Sequence, residues 1–203
     1  MTVALSAVAL IGAVIIGTAV GTAGSMRQPF ARRLAVVYVE VIRNIPLLIH
    51  MYFWYMGLAF LRLPPFVCAV LGLSLYSGAY VAEIVRAGIG AVPRGQRMAA
   101  LASGLTAFQA LRLVIYPQAL RIVAPSLASL FSQLIKDSSL ASIIAVAEIT
   151  YEAGAIEGTT FRTFEIYITV AALYLVLVTL TSHVLLMVPG AREDALARSL
   201  SDA

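Results

Sequence analysis

Two adjacent ionisable residues, Lys136 and Asp137, stand inside an otherwise apolar stretch of the chain. Each would cost roughly 2.5–3.5 kcal/mol at the centre of a membrane helix on insertion scales. We therefore expect both side chains to face a protein interior or a watery cavity. Ser138 and Ser139 follow directly, and their hydroxyls can satisfy backbone groups that a helix break leaves free. The pattern favours a polar path through a membrane, with a purely structural ion pair as the alternative.

Other polar side chains are spaced to line the same path. Gln133 stands three residues before Lys136, and an earlier apolar segment carries Tyr76, Ser77 and Tyr80. We predict that these residues line the path together with residues 136–139.

Two acid–base pairs stand near these segments, Glu40 with Arg43 and Glu83 with Arg86. Side chains three residues apart on a helix are neighbours. We predict a local salt bridge at the membrane interface for each pair; direct contact with a ligand is the alternative.

Residue types used in metal and nucleotide sites are sparse. Cys68 is the single cysteine, and His50 and His183 lie far apart, so we expect no metal site and histidines that are packed or interfacial. Lys136 is the only lysine and follows Ile135, so a G-x4-G-K-[ST] phosphate loop cannot be written in this chain. We predict that the chain binds no cofactor and that any ATP-Mg would bind a separate polypeptide.

The composition is that of a multi-pass membrane protein. Of the 203 residues, 61% are hydrophobic and 12% are charged, and the mean hydropathy is +0.95, which excludes an ordinary soluble domain. One crossing takes about 20 apolar residues. We predict an all-α fold with a single transmembrane domain, residues 1–203, and five spans at about 3–24, 35–61, 66–91, 120–147 and 164–188.

Local features refine the first two spans. No basic residue precedes residues 3–24, which favours a retained helix over a cleaved signal peptide. Gly17 and Gly21 are four residues apart and would let a neighbouring helix approach closely. Residues 44–46, Asn-Ile-Pro, should kink or interrupt the second span.

The cations are distributed unevenly along the chain. Arginines cluster after the first span, around residues 92–119 and in the C-terminal tail, whereas Arg62, Lys136 and Arg162 lie elsewhere. The positive-inside rule then makes residues 92–119 and the C-terminus cytoplasmic and the N-terminus external. The net charge of +4 is thus assigned to membrane topology and not to nucleic acid, and residues 148–163 become an outer loop.

Residues 92–117 form the longest interval between apolar stretches, and their pattern predicts two short helices. Residues 95–103 are compatible with a helix, and Gly104 stands where a left-handed cap would end it. Thr106 and Gln109 have the T-x-x-Q spacing of a capping box, and Pro117 is expected to end the second helix. A DNA-binding helix-turn-helix is the alternative, which the tether between two spans and the few basic residues disfavour.

The same interval resembles the EAA loop of ABC importer permeases, whose pattern is E-A-A-x3-G-x9-I-x-L-P. Here Met98, Ala99, Ala100 and Gly104 are followed, after nine residues, by residues 114–117, VIYP. Met replaces the family's glutamate, and Tyr116 replaces its leucine. The polar amino acid permease branch is resembled most closely, over about residues 5–190, through residues 38–48 (YVEVIRNIPLL), 80–96 (YVAEIVRAGIGAVPRGQ), 136–143 (KDSSLASI) and 164–167 (FEIY).

This resemblance implies a type I ABC importer permease fold in the bacterial cytoplasmic (inner) membrane. It also implies a cytoplasmic coupling helix that docks on an ATP-binding subunit. In the family the glutamate helps to hold this loop, so Met98 puts the strength of coupling in question. The coupling residues implied are Gly95, Gln96, Met98, Ala99, Ala100, Gly104 and Leu105.

The implied partners are the ATP-binding subunit, a second permease subunit that is the same or a related chain, and an extracytoplasmic amino acid binding protein that lands on the outer loop. The chain would then be a transport subunit of an ATP-driven amino acid importer in the lipid bilayer, and not an enzyme. A zwitterionic amino acid could present its carboxylate to Lys136 and its ammonium to Asp137.

Two other functions stay open from the sequence. A passive channel or secondary carrier would also explain intramembrane charge, although inverted-repeat carriers normally need a second half in the same chain. A transport-incompetent scaffold half, paired with an active permease, is the other alternative, and Met98 keeps it open.

Overall fold

The computed structural model describes residues 1–26 and 28–186, which form helices joined by short turns and contain no β-strand. The predicted end of the fifth span, at residues 187–188, and the C-terminal tail lie outside these residues. The α-helices are α1 (Thr2–Ser25), α2 (Pro29–Arg43), α3 (Leu47–Tyr52), α4 (Pro65–Ala91), α5 (Arg94–Ala102), α6 (Ala107–Ala110), α7 (Tyr116–Asp137), α8 (Ile149–Thr160) and α9 (Thr163–Leu186). Short segments of other helix types continue several of them, π-helical at Phe53–Gly57 and Leu111–Ile115 and 3-10 at Ala59–Leu61 and Ser138–Ile144.

Four of the described helical segments are long and apolar enough to cross a membrane, or five if the bent pair α2–α3 is counted as one. The prediction of an all-α membrane fold with five candidate spans is therefore confirmed.

The packing of α1 against α4 forms the centre of the fold. Small residues allow this close approach, as the spacing of Gly17 and Gly21 predicts. A Cβ atom added at Gly21 would lie 2.5 Å from the backbone oxygen of Ala82, and one at Gly17 would lie 2.6 Å from that of Gly78. The interface therefore excludes any side chain at these two positions.

The second predicted span is interrupted, as the Asn-Ile-Pro sequence indicates. Its two halves, α2 and α3, meet at an angle of 100°, with Pro46 immediately before α3. Proline lacks an N–H and disfavours a helical conformation in the residue before it. The interruption predicted within the span at residues 35–61 is therefore present. The first half begins earlier, at Pro29, and Ala35 is its only buried residue.

Pro117 does not end a helix, contrary to the prediction. The chain passes from α6 through the π turn Leu111–Ile115 directly into α7, and Pro117 lies in the first turn of that helix. In the preceding π turn the Tyr116 N–H donates to the Leu111 carbonyl, five residues back, so the helical hydrogen bonds are shifted where the N–H of Pro117 is missing. The helical segment long and apolar enough to be the fourth span is Ala107–Ile144, which contains most of the predicted span at residues 120–147.

Residues 148–163, predicted as a loop, consist mainly of helix α8. The backbone N–H of Ile149 donates to the Thr2 hydroxyl at 3.1 Å, so α8 lies beside the N-terminus. The hydroxyls of Thr22 and Tyr116 are in contact, so the end of α1 lies beside the start of α7. The N-terminus and α8 thus share one end of the molecule, opposite the end where α1 meets the segment after α5 and α6.

Candidate functional site

An aromatic row lies along one face of α4 and reaches α3. Tyr76 and Tyr80 are one turn apart, with hydroxyls 3.2 Å apart and ring centroids 5.2 Å apart. The ring of His50 lies 5.9 Å from that of Tyr76, and its Nε2 lies 3.1 Å from the Ile42 carbonyl oxygen. His50 is buried and is thus a packed histidine, as predicted. The break between α2 and α3 positions it against α4.

Charged groups continue the row beyond Tyr80. The guanidinium carbon of Arg43 lies 4.9 Å from the centroid of the Tyr80 ring, a cation–π geometry. Arg43 also forms an ion pair with Glu83, and Glu83 in turn lies 3.5 Å from Nη2 of Arg86. The predicted pair of Glu83 with Arg86 is therefore present, extended by a cation from α2.

The predicted pair of Glu40 with Arg43 is wrong. Among the described residues Arg43 pairs with Glu83, while a Glu40 carboxylate oxygen lies 3.4 Å from the Asn44 amide nitrogen. Arg43 is the last residue of α2, which packs against α4. Its long side chain can therefore reach the neighbouring helix, where Tyr80 and Glu83 both bind it.

The polar residues of α7 form a second group, at the junction of this helix with the following 3-10 turn. Gln133 donates from Nε2 to Asp137 Oδ1 at 2.8 Å. Lys136 is exposed and forms no ion pair with the described residues. Helix α7 and the 3-10 turn that follows it both pack against α4, which carries Tyr76. The fold thus brings the polar residues of α4 and α7 into one region.

The serines of the predicted path are placed differently from one another. Ser77 and Ser138 are only 2% and 0% exposed, so both lie in the packed interior of this chain. Ser138 donates its hydroxyl to the Ile135 carbonyl at 2.7 Å, and the Ser139 carbonyl accepts from Ser142 at 2.7 Å. The expected helix break after Asp137 is present, and serine hydroxyls satisfy backbone groups beside it.

A second candidate site, the coupling loop, is the segment from α5 to α6. Gly104 ends α5 with a φ of +84°, and the N–H of Leu105 donates to the Ala100 carbonyl at 3.2 Å. Only glycine adopts such a φ without strain. The predicted capping box is complete, since Gln109 Oε1 accepts from the Thr106 N–H at 2.8 Å while the Thr106 hydroxyl accepts from the Gln109 N–H at 3.3 Å.

The outer surface of the coupling loop is apolar at its centre. Of the predicted coupling residues, only Ala100 is buried, Leu105 is half-buried, and Gly95, Gln96, Met98, Ala99 and Gly104 are exposed. Leu101 and Phe108 are also exposed, and sequence reasoning did not include them among the coupling residues. The sequence signal that could have identified these two residues is their position on either side of the turn at Gly104. Met98, Leu101 and Phe108 are therefore exposed apolar side chains of the coupling loop that a partner could cover.

A buried carboxylate that sequence reasoning missed lies at the opposite end of the molecule. Glu148 is 1% exposed and caps α8, accepting from the Tyr151 N–H at 2.8 Å. Its other oxygen accepts from the Tyr174 hydroxyl at 2.7 Å, and that hydroxyl lies 3.3 Å from the Thr150 hydroxyl. The only sequence signal was an acidic residue at the N-cap position of a helix.

Within residues 1–26 and 28–186, no group of three or more His, Cys, Asp or Glu side chains could hold a metal ion. The polar groups near α4 and α7 instead offer ammonium, guanidinium, carboxylate, amide and phenol functions. Such a set can bind a small molecule that carries both charges.

Comparisons of the whole chain with known proteins agree on one class of membrane transport protein. A family model described as "Binding-protein-dependent transport system inner membrane component" matches residues 13–188. The glutamine transport system permease protein GlnP of Escherichia coli (strain K12) is 39% identical over 189 residues, covering 91% of this chain and 86% of GlnP. The glutamate/aspartate import permease protein GltJ of the same strain is 33% identical over 192 residues, covering 87% and 78%.

A solved structure is similar in both sequence and fold. The crystal structure of an amino acid ABC transporter with histidines contains a chain that is 38% identical and superposes with a TM-score of 0.83. The match covers 91% of this chain and 87% of that one.

Proposed function

This chain belongs to the family of inner membrane components of binding-protein-dependent transport systems, and we propose that it is the permease subunit of an ATP-driven importer of polar amino acids. The observation that carries the proposal is the 38% identical chain of a solved amino acid ABC transporter, with its TM-score of 0.83. GlnP and GltJ, named for glutamine and for glutamate and aspartate, support a polar amino acid as the substrate class.

The energy for transport would come from a separate ATP-binding subunit. The sequence contains no phosphate loop, and the coupling loop exposes the apolar side chains of Met98, Leu101 and Phe108. Docking of the ATP-binding subunit on these side chains would let ATP binding bias two arrangements of the spans. The residues proposed to mediate coupling remain Gly95, Gln96, Met98, Ala99, Ala100, Gly104 and Leu105.

A second permease subunit, identical or related, would complete the pathway. Lys136 and Gln133 are exposed on a candidate span of this chain, where contact with lipid would be unfavourable for a charge. If Lys136 and Gln133 faced the same two residues of a partner subunit across a two-fold axis, all of them would lie in a shared aqueous cavity.

The transported amino acid would contact the open polar face between α4 and α7. Lys136 would receive the substrate carboxylate and Asp137 its ammonium, with Tyr76, Tyr80 and Gln133 positioned beside them. Ser77 and Ser138 are buried, so Ser77 would act by packing and Ser138 by donating to the Ile135 carbonyl. Ser139 is half-buried and would line the path.

The extracytoplasmic binding protein would land on the end of the molecule that carries α8. The side chains of Tyr151, Glu152 and Ile156 are exposed there. The cation distribution supports this sidedness, with the coupling loop cytoplasmic and the N-terminus external in the bacterial inner membrane.

The test is ATP hydrolysis by the complex of this chain with its ATP-binding subunit in lipid nanodiscs. We expect the binding protein loaded with amino acid to stimulate hydrolysis several-fold over the empty binding protein. A complex that forms but is never stimulated would identify a transport-incompetent scaffold half. Absence of any complex, together with substrate flux in vesicles lacking ATP, would favour a passive channel or secondary carrier.

The substrate path has its own test. Asp137→Asn keeps the shape of the side chain and its bond from Gln133 but removes the charge proposed to bind the ammonium group. We expect uptake into proteoliposomes to be lost while the complex still assembles. Glu165→Gln, an exposed carboxylate at the start of α9, is the control, and unchanged uptake by Asp137→Asn would remove Asp137 from the path.

A further inference from the structure

A cavity of about 720 Å³ opens between the end of α1, residues 32–40 of α2, the end of α4 and the start of α5. It lies at the end of the molecule where the coupling loop is found. The proposed transport function does not use this cavity. Its charged lining consists of four arginines and two glutamates, Arg32, Arg86, Arg94, Arg97, Glu40 and Glu83.

The cavity carries an excess of positive charge. Its guanidinium groups outnumber its carboxylates, and Glu83 is already paired with Arg43 as well as with Arg86. Helix α5 begins at Arg94, which is one of the lining residues, so the positive end of its dipole also borders the cavity. The arginines come from three different helices, so the folding of this end of the molecule brings like charges together. A bound anion would offset their repulsion.

Arginine clusters of this kind suit phosphate oxygens. The planar guanidinium group donates two parallel hydrogen bonds to a phosphate or to a carboxylate, and a phosphate has more oxygens with which to accept from several guanidinium groups at once. Basic pockets between membrane helices on the cytoplasmic side bind lipid headgroups by this chemistry.

A neighbouring cavity indicates where the apolar part of a lipid with its headgroup in the first cavity would lie. A second cavity, of about 440 Å³, is lined by Pro29, Arg32, Arg33, Val36 and Val37. It shares Arg32 and Val36 with the first cavity. On the same helix Phe30 and Leu34 are 74% and 56% exposed. The arginine-lined cavity therefore adjoins a second cavity whose apolar lining residues are Pro29, Val36 and Val37.

We propose that the first cavity binds the headgroup phosphate of an anionic phospholipid and that the acyl chains of this lipid lie along α2. A free phosphate would use the same arginines, but it would leave the apolar surface of α2 without a role. The assignment to the cytoplasmic leaflet rests on the proposed topology; the binding site itself does not. The lipid would link α2 to α5, the helix that precedes the coupling turn.

The test counts bound lipid on the complex of the full chain with its ATP-binding subunit. The complex is delipidated in detergent, titrated with phosphatidylglycerol or phosphatidylcholine, and examined by native mass spectrometry. We expect phosphatidylglycerol to bind at least about tenfold more tightly than phosphatidylcholine. Arg32→Gln should weaken phosphatidylglycerol binding about fivefold, the factor expected for one cation near an anionic surface.

Arg121→Gln is the matched control, because Arg121 is an exposed arginine of α7 that lines neither cavity. Equal phosphatidylglycerol affinity in Arg32→Gln and Arg121→Gln would overturn the proposal. Should Arg32→Gln fail to assemble, Arg86→Gln, which also lines the first cavity and lies outside the coupling loop, answers the same question.

A competition arm separates the two sources of phosphate. Inorganic phosphate at about 10 mM should leave bound phosphatidylglycerol in place, because it cannot replace the apolar contacts of the acyl chains. Displacement by inorganic phosphate would identify a free-anion site and overturn the lipid assignment. Because the readout is lipid mass and not transport, a failed transport assay would leave this result unaffected.

Discussion

Tyr174 of α9 donates its hydroxyl to the buried carboxylate of Glu148 at a distance of 2.7 Å. Glu148 stands at the N-terminus of α8, is 1% exposed and forms no ion pair within the described residues. The tyrosine hydroxyl and the Tyr151 N–H are therefore the donors that make burial of this side chain tolerable. The pair joins α8 to α9 at the end of the molecule proposed to meet the binding protein.

Removal of the Tyr174 hydroxyl should destabilise this end of the protein. Tyr174→Phe keeps the ring but leaves one Glu148 oxygen buried without its donor, which costs about 1–3 kcal/mol. We expect a lower thermal unfolding midpoint for the purified complex in detergent. Tyr167→Phe, on an exposed position of the same helix, should change the midpoint little, and equal midpoints for the two variants would contradict the role of Glu148.

Arg43 forms an ion pair with Glu83, whereas sequence spacing alone would pair it with Glu40. We therefore expect an energetic coupling between Arg43 and Glu83. The two side chains are 37% and 38% exposed, so a double-mutant cycle with Arg43→Gln and Glu83→Gln should give a coupling energy of about 0.5–1 kcal/mol. The measurement is unfolding free energy of the complex in detergent. The cycle with Arg43→Gln and Glu40→Gln should give a value near zero, and a larger value there would support the local pair.

Close packing of α1 on α4 makes Gly21 sensitive to the smallest enlargement. In Gly21→Ala the new methyl group would lie 2.5 Å from the Ala82 backbone oxygen, so the helices must separate. Overpacking of this kind costs about 1–3 kcal/mol, and the unfolding midpoint should fall accordingly.

Gly158→Ala is the control for this substitution, because nothing lies within 4 Å of a Cβ atom at Gly158 in α8. Alanine also favours a helix more than glycine does. This variant should be neutral or slightly stabilising, and a loss equal to that of Gly21→Ala would exclude packing as the cause.

The coupling loop should depend more on its capping box than on residue 98. Thr106→Ala removes one half of the box and should cost about 1 kcal/mol of local stability. Met98 is 65% exposed, and the turn after α5 is held by Gly104, Thr106 and Gln109 without it. We therefore expect lower binding-protein-stimulated ATP hydrolysis for Thr106→Ala. For Met98→Glu we expect a change of less than about twofold, because Leu101 and Phe108 remain exposed for docking and the resembled EAA pattern carries glutamate at this position.

The control for the loop is Ser103→Ala, which removes a hydroxyl bonded only to the Ala99 carbonyl of the same helix. It should preserve stimulation. If Met98→Glu raises stimulation by tenfold or more, the family's glutamate makes a contact with the partner that the turn alone does not replace.

Features that depend on neighbours in the chain could be predicted from the sequence. Apolar runs of about 20 residues indicate membrane spans. Each polar group placed in lipid adds its own free-energy cost, and this cost can be read from the sequence without knowledge of the fold. The capping box of Thr106 and Gln109, the turn at Gly104 and the break before Pro46 follow from backbone preferences over a few residues. The family resemblance added the function, since composition alone indicates only a membrane protein.

Features that depend on which helices meet were decided by the tertiary structure. A spacing of three residues permits Glu40 and Arg43 to pair, but it does not rank that pair against a carboxylate on another helix, and Arg43 reaches Glu83. Likewise, the sequence places Ser77 on a span but does not determine which way its side chain faces. The packing of α4 against its neighbours buries this side chain.

The same reason explains Glu148, whose carboxylate lies beside Tyr174 although 26 residues separate the two in the chain. Local energies determine helices and turns along the sequence. Long-range contacts, which fix the partner of each charge, exist only after the helices have packed.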